Sequence, residues 1–221
     1  MYDVDPETVA RFARTIGPEP DDIIEEMDAR ADQSGFPTVG PEVGGWLRLC
    51  CRLAGAKRVF EFGSGFGYSA YWMAPALPED GELVLTEIDE DELDDARAYL
   101  ERGGYADRAR FELGDAIEAV GSYDGPFDLV LVDCQKERYR EAFEAVRGKL
   151  RDGGVIVADN AMTAGPMAFE DLLALQEGED METTAATRGV HDYLTAVREA
   201  PDFETGLLPL GEGLAVSVKT D

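Results

Sequence analysis

The stretch EFGSGFGYS (61–69) follows a short apolar segment and precedes a predicted helix. Its three glycines suit a turn in which the backbone approaches a ligand closely or takes positive φ. By itself, such a turn fits a dinucleotide-binding loop or only a tight strand-to-helix connection. Two features argue against a dinucleotide: Tyr68 stands where that loop needs a small residue, and Glu61 suits a ligand that carries an ammonium group.

Short apolar segments and helical patterns alternate around this stretch for about a hundred residues. Strands are predicted at 58–62, 83–87, 109–113, 127–133 and 154–159, with helices between them at 69–76, 90–102 and 138–149. This alternation predicts a parallel sheet with right-handed crossovers, and the continuous apolar runs indicate that helices cover both of its faces. The C-terminal sequence LLPLGEGLAVSVK (207–219) predicts a closing antiparallel hairpin.

The segments outside this alternating region predict additional helices. Residues 4–32 fit one or two helices, so we interpret 1–36 as an N-terminal helical cap and 37–221 as the main domain of a single-domain chain. Further helices are expected at 46–54, at 166–176 inside a polar insertion (161–190), and at about 191–200.

The composition is strongly acidic. The chain has 47 acidic and 20 basic residues, a net charge of −27 at pH 7, and only four lysines. This is typical of a salt-adapted, halophilic protein, in which dissolved ions screen the repulsion between charges; an ordinary acidic protein is the alternative. The lack of a basic run disfavours a nucleic-acid partner. Because no signal peptide or long apolar run is present, we expect a cytoplasmic protein without a membrane partner.

Acidic residues follow the second and third predicted strands. Glu87 ends the segment 83–87, where an acid can accept hydrogen bonds from both hydroxyls of a ribose. Asp115 follows the next strand, where it either accepts from an adenine amino group or caps a helix that begins at Ala116. These positions indicate a cofactor that contains ribose and needs no phosphate clamp.

Asp133 and Asp159 end two further strands of the predicted sheet, and Asn160 comes directly after the second. Ligands collect at the carboxyl ends of parallel strands, so we expect these side chains to lie close together. Three hard oxygen ligands suit Mg²⁺, with Mn²⁺ or Ca²⁺ as alternatives, although the residues could instead only cap a helix and start a turn. Lys136 is either a base beside this cation, which disfavours its ammonium form, or a solvated loop residue.

Six motifs, EFGSGFGYS, LTEID, GDA, LVDCQKERY, VADN and LPLGEGLAVSVK, together resemble the cation-dependent class I O-methyltransferases, which include catechol and caffeoyl-CoA O-methyltransferases. The likeness runs from about Pro37 to the C-terminus. Its most specific element is VD followed by lysine at the third position and by ADN about 26 residues later. The resemblance implies a Rossmann-like class I methyltransferase fold of the α/β class, with a mostly parallel seven-stranded sheet, an antiparallel last strand and helices on both faces.

The resemblance also implies that the cofactor is S-adenosylmethionine. In the family's pattern Glu61 faces its amino-acid part, Glu87 the ribose and Asp115 the adenine. The full set of implied cofactor contacts is Val39, Glu61, Gly63, Ser64, Gly65, Ser69, Glu87, Ile88, Asp115, Ala116, Asp133 and Gln135. Relatives often carry an aspartate or a tryptophan at the position where this chain has Gln135.

The implied metal ligands are Asp133, Asp159 and Asn160, and the implied catalytic residues are Lys136, at the position of the family's base, and Asp133. The activity expected from them is transfer of a methyl group to a metal-bound hydroxyl of a small catechol-like or phenolic acceptor. The alternatives are a metal-independent methyltransferase that acts on nitrogen or on a larger acceptor, and a cofactor-binding module without catalysis. Residues 161–190 match the family poorly and are expected to select the acceptor. Relatives are often dimers, so a homodimer is expected.

Overall fold

The computed structural model describes residues 5–220, so residues 1–4 of the expected cap and residue 221 lie outside the described residues. The α-helices are α1 (Pro6–Ile16), α2 (Asp22–Ser34), α3 (Gly40–Ala54), α4 (Tyr68–Met73), α5 (Glu90–Arg102), α6 (Ala116–Gly121), α7 (Tyr139–Val146), α8 (Phe169–Gln176) and α9 (Ala185–Glu199). The strands are β1 (Arg58–Phe62), β2 (Glu82–Glu87), β3 (Ala109–Leu113), β4 (Phe127–Val132), β5 (Leu150–Ala158), β6 (Phe203–Leu208) and β7 (Leu214–Lys219).

The strands form one seven-stranded sheet in the order β3-β2-β1-β4-β5-β7-β6. The pairs among β1 to β5 are parallel, whereas β7 is antiparallel to both β5 and β6. The predicted α/β class, the mostly parallel sheet and the antiparallel last strand are confirmed. The closing hairpin therefore places β7 between β5 and β6.

The side chains of the central strands alternate between two hydrophobic clusters on opposite faces of the sheet. Val59 and Leu83 lie in a cluster that includes residues of α2 to α5, while Phe60 and Val84 lie in a cluster that includes residues of α7 and α9. Helices thus cover both faces, which explains why the strands are continuously apolar in the sequence.

Helix α3 begins at Gly40, six residues before the predicted start at 46. Pro41 lies in its first turn, a position that suits proline because no intrahelical partner is needed for its nitrogen. Gly44 and Gly45 lie within the helix and do not end it. A Cβ atom on Gly44 would lie 2.4 Å from the Trp72 ring, so this glycine lets α3 pack closely against α4.

Helix α9 begins at Ala185 instead of about residue 191. The Thr184 hydroxyl caps it by accepting the N–H of Thr187 at 3.1 Å. Gly189, inside the helix, lies against the backbone of Lys136, because a Cβ atom there would be 2.4 Å from the Lys136 carbonyl oxygen. This close approach packs α9 against the loop that carries Lys136.

Helix α2 contributes Ile24, Met27 and Ala31 to the cluster that it shares with α3. The division of the chain near residue 36 stays a prediction, as does the cytoplasmic location. None of the helices between residues 5 and 220 has the length and apolar character needed to cross a bilayer.

Candidate active site

The residues that follow β4 and β5 are held in place by the sheet. The Asp133 N–H donates to the Phe62 carbonyl at 3.0 Å, and the Asp159 N–H donates to the Val132 carbonyl at 3.1 Å. The pairing of the strands thus continues one residue beyond each strand end. The backbone of both aspartates is therefore fixed at the same edge of the sheet.

The turn that contains Gly63, Gly65 and Gly67 lies against the residue that follows β4. Gly63 has a φ of 81°, and a Cβ atom there would lie 2.2 Å from the carbonyl oxygen of Asp133. The Gly65 N–H donates to Glu87 Oε2 at 2.9 Å, while Glu87 Oε1 accepts the N–H of Ile88 at 2.7 Å. Glu87 therefore anchors the turn to the end of β2. Its Oε1 also accepts the Asp89 N–H at 3.1 Å, so the acceptor capacity left for a ligand is on Oε2.

Glu61 is a completely buried carboxyl group beneath this turn. One of its oxygens accepts a hydrogen bond from the Ser69 hydroxyl, and the other, Oε2, has no hydrogen-bond partner in the described part of the chain. Burial raises the pKa of Glu61 to about 8, although the Ser69 hydrogen bond opposes this change. A buried acid with an unpaired oxygen suits a cationic ligand group that would stabilise its ionised form.

The structure brings Lys136 together with all three predicted metal ligands. Lys136 Nζ donates to Asp133 Oδ1 at 3.0 Å and to Asn160 Oδ1. Asp159 Oδ1 is buried and has no hydrogen-bond partner among residues 5–220. Burial, together with the nearby Asp133 carboxylate, raises the pKa of Asp159 to about 7. The cluster therefore has more negative charge than one lysine compensates.

The side chains of this cluster have the chemistry of ligands for a divalent cation. No group of three or more His, Cys, Asp and Glu side chains in the described residues could hold a metal ion. The predicted ligands Asp133, Asp159 and Asn160 are not a group of this kind, because they combine two carboxylates with one amide. Their oxygens are of the kind that hard cations prefer, and the unpaired Asp159 oxygen lacks a positive partner. The set fits a cation, provided that Lys136 moves away from Asp133 and Asn160.

Two adjoining cavities lie beside this cluster, with volumes of about 330 and 190 Å³. Gly63, Glu87 and Asp133 line both of them. The larger cavity is also lined by the predicted contacts Ile88, Asp115, Ala116 and Gln135, and the smaller one by Val39, Ser64, Gly65 and Ser69. Together they form one cleft across the carboxyl ends of β1, β2 and β4.

Asp115 has partners on both of its oxygens. Oδ1 caps α6 by accepting the N–H of Ile117 at 2.8 Å, and Oδ2 accepts a hydrogen bond from Arg138. The Arg138 guanidinium lowers the pKa of Asp115. Of the two sequence interpretations, capping is therefore observed. An adenine amino group would have to share this carboxylate with Arg138, which lines the same cavity.

A family model described as O-methyltransferase matches residues 21–220 of the chain. The chain belongs to the O-methyltransferase family. The catechol O-methyltransferase of Niastella koreensis is 33% identical over 162 residues, which cover 71% of this chain and 73% of the relative. Caffeoyl-CoA O-methyltransferase 2 of Petunia hybrida is 26% identical over 209 residues, which cover 90% of this chain and 83% of the relative.

Solved structures show the same fold. The O-methyltransferase TomG of Streptomyces achromogenes, determined in complex with S-adenosylmethionine, has a TM-score of 0.83 and 24% sequence identity, over 99% of this chain and 100% of that chain. The predicted O-methyltransferase family and enzyme class are confirmed by the family model and the catechol relative, and the fold is shared with a structure that holds S-adenosylmethionine. The contacts of individual residues with the cofactor stay predictions.

The sequence did not point to two further residues of this O-methyltransferase's site. The Tyr139 hydroxyl accepts from Lys136 Nζ at 2.7 Å and donates to the Asp159 carbonyl at 3.0 Å. The Glu212 carboxylate accepts a hydrogen bond from Asn160 Nδ2. The three-residue spacing of Lys136 and Tyr139 could have revealed their contact, whereas 52 residues separate Asn160 from Glu212 and leave no local signal.

Proposed function

We propose that the protein transfers the methyl group of S-adenosylmethionine to a hydroxyl of a small catechol-like phenolic acceptor, which is held at a divalent cation. The observation that carries this proposal is the placement of Lys136 among the oxygens of Asp133 and Asn160, next to the buried Asp159 and the cleft. Relatives named as catechol and caffeoyl-CoA O-methyltransferases support a phenolic acceptor.

The proposed cofactor position follows from the charges of the cleft. The sulfonium cofactor has an ammonium group, a ribose and an adenine. Glu61, which accepts a hydrogen bond from Ser69 of the smaller cavity, suits the ammonium, and Glu87, which lines both cavities, suits the ribose hydroxyls. The larger cavity, between Ile88 and Ala116, then receives the adenine. This arrangement directs the methyl group toward Asp133 and Lys136.

Asp133, Asp159 and Asn160 would hold the cation, most suitably Mg²⁺ because all three ligands are oxygens. When bound, the cation supplies a Lewis acid that orients two neighbouring acceptor oxygens and makes the reacting hydroxyl more acidic. Lys136, as the neutral amine that this role requires, would then accept the hydroxyl proton. The Tyr139 hydroxyl, 2.7 Å from Lys136 Nζ, keeps the lysine beside the reacting oxygen, and α9 packs against the lysine's backbone through Gly189.

Acceptor chemistry tests this proposal. We expect the purified protein, in concentrated salt with Mg²⁺, to methylate catechol and to produce S-adenosylhomocysteine. Resorcinol, with its hydroxyls farther apart, should react at least about a hundredfold more slowly, because its two oxygens cannot occupy neighbouring positions. Faster methylation of amines than of catechol would favour the nitrogen-directed alternative. No turnover with any acceptor of a broad phenolic panel would favour a cofactor-binding module.

The pKa of Glu61 predicts that cofactor binding releases a proton. Below about pH 8 the carboxyl is mostly protonated in the free protein, whereas the cofactor's ammonium binds the ionised form. Affinity for S-adenosylhomocysteine should therefore rise by up to about tenfold per pH unit between pH 6 and 7.5. Calorimetry at pH 7 in two buffers of different ionisation enthalpy should detect nearly one proton released.

Glu61→Gln is the control for this effect. The amide keeps the size of the side chain but has no proton to release, so binding should be weaker and independent of pH over the same range. A pH dependence that persists in Glu61→Gln would assign the proton to another group.

Two expectations about partners stay predictions. The apolar side chains Phe12, Ile16, Leu49 and Leu53 of α1 and α3 are exposed in the single chain, and such a surface would suit the expected homodimer. The acceptor-selecting role of residues 161–190 is likewise a proposal, which α8 and the loop before it would fulfil.

A further inference from the structure

The turn between β6 and β7 packs against the residues that follow β5. Met162 and Thr163 each donate their N–H to the Glu212 carbonyl oxygen, at 3.0 Å in both cases. The Glu212 side chain adds a hydrogen bond from Asn160 Nδ2. Glu212 thus contacts three residues after β5, namely Asn160, Met162 and Thr163. Asn160 is one of the proposed cation ligands.

The fit between the turn and this loop is close. The Ala161 N–H donates to the Gly213 carbonyl at 2.8 Å. Gly213 has a φ of 94°, and a Cβ atom there would lie 2.5 Å from Cγ of Met162. Backbone contacts alone therefore fix Glu212 and Gly213 relative to the loop that begins at Asn160.

Asn160 has an unusual backbone conformation. Its φ is 52°, and no other non-glycine residue that the structure describes has a positive φ. Asparagine adopts left-handed backbone more readily than most non-glycine residues, because its short polar side chain can hydrogen-bond locally. This conformation places the Asn160 side chain between Lys136 and Glu212.

The two partners of the Asn160 amide have opposite requirements. Lysine can only donate hydrogen bonds and an ionised carboxylate can only accept them. Oδ1 accordingly faces Lys136, and Nδ2 faces Glu212. A cation can bind the amide oxygen but not the amide nitrogen. With a cation in the place of the lysine ammonium, Glu212 would be the partner that keeps Nδ2 turned away from the cation.

We propose that Glu212 is a positioning residue of the cation site, because its carboxylate holds the Asn160 amide with Oδ1 directed toward Asp133 and Lys136. This inference rests on the cation of the proposed function. Glu212 itself is exposed and touches neither cation nor acceptor in this role. Its removal therefore affects cation affinity and not the binding of the cofactor.

The test is the Mg²⁺ affinity of the full chain, measured by calorimetry with S-adenosylhomocysteine bound. Glu212→Ala removes the acceptor and should weaken Mg²⁺ binding about tenfold or more, as loss of an outer partner of a metal ligand does. Glu212→Gln removes the charge but keeps an oxygen that can accept from Nδ2, so its affinity should stay within about threefold of the wild type. The exposed Glu199 of α9 provides the control: Glu199→Gln changes the net charge equally and should leave Mg²⁺ affinity unchanged.

The outcomes separate this inference from the proposed function. Unchanged Mg²⁺ affinity in Glu212→Ala overturns the positioning role. Equal weakening in Glu212→Ala and Glu212→Gln also overturns it, because a long-range charge effect would then suffice. A wild-type protein that binds no Mg²⁺ overturns the cation site itself and the role of Glu212 with it. Unchanged S-adenosylhomocysteine affinity in every variant shows that the cofactor cleft is intact.

Discussion

Complete chelation of divalent cations is expected to lower the rate of catechol methylation by at least about a thousandfold, and added Mg²⁺ is expected to restore it. The reason is that the three N–H donors of Lys136 are already used by Asp133, Tyr139 and Asn160, so the lysine has none left to orient the acceptor oxygens. Rates should be measured in concentrated salt, since the net charge of −27 needs screening. Full activity after chelation would contradict the cation's role and favour the metal-independent alternative.

Asp159→Asn supplies a second measurement that does not depend on activity. The folded-state pKa of Asp159, about 7, lies above its ordinary value, so its contribution to stability is fully present at low pH and is lost as the pH rises through 7. At about pH 8 the cation-free variant should therefore melt no lower than the wild type. Saturating Mg²⁺, at a hundred times Kd, should stabilise the wild type by about 2.7 kcal/mol and the variant much less.

Asp152→Asn is the matched control for this measurement, since Asp152 is exposed at the far end of β5. It makes the same chemical change and should leave the Mg²⁺ response intact. Equal stabilisation of wild type and Asp159→Asn by Mg²⁺ would remove Asp159 from the proposed ligands.

Lys136→Ala is expected to lower kcat by about a hundredfold to ten-thousandfold while the affinity for S-adenosylhomocysteine stays unchanged. The lysine lies 3.0 Å from Asp133 and 2.7 Å from the Tyr139 hydroxyl, at the edge of the cofactor cleft. Its loss removes the proposed proton acceptor and one positive charge from the acid cluster. For the second reason Mg²⁺ should bind more tightly to Lys136→Ala than to the wild type.

Lys136→Arg tests whether Lys136 acts as a proton acceptor or only as a positive charge. Arginine keeps the charge but does not release its proton at accessible pH, so kcat should fall about as far as in Lys136→Ala. An arginine variant close to wild-type activity would rule out the base. Lys57, exposed at the opposite end of β1, is the control, and Lys57→Ala should leave kcat unchanged.

The strands were predictable because their apolar runs are bounded by polar and glycine-rich segments, and β1 and β3 have the predicted bounds. The start of α3 was missed because glycine usually weakens a helix, while Gly44 is needed here for contact with Trp72. The start of α9 was missed for a similar reason: Gly189 interrupts the helical pattern but is required where the helix meets the Lys136 backbone.

The parallel sheet and the acids at its carboxyl edge were predictable, because strand alternation and strand ends are local features of the chain. The protonation and pairing of those acids were not predictable, because they depend on residues far away in the sequence. The raised pKa values of Glu61 and Asp159 depend on burial by distant elements. Likewise, Asn160 meets Glu212 because β7 folds back between β5 and β6, and no local pattern encodes a contact made by sheet topology.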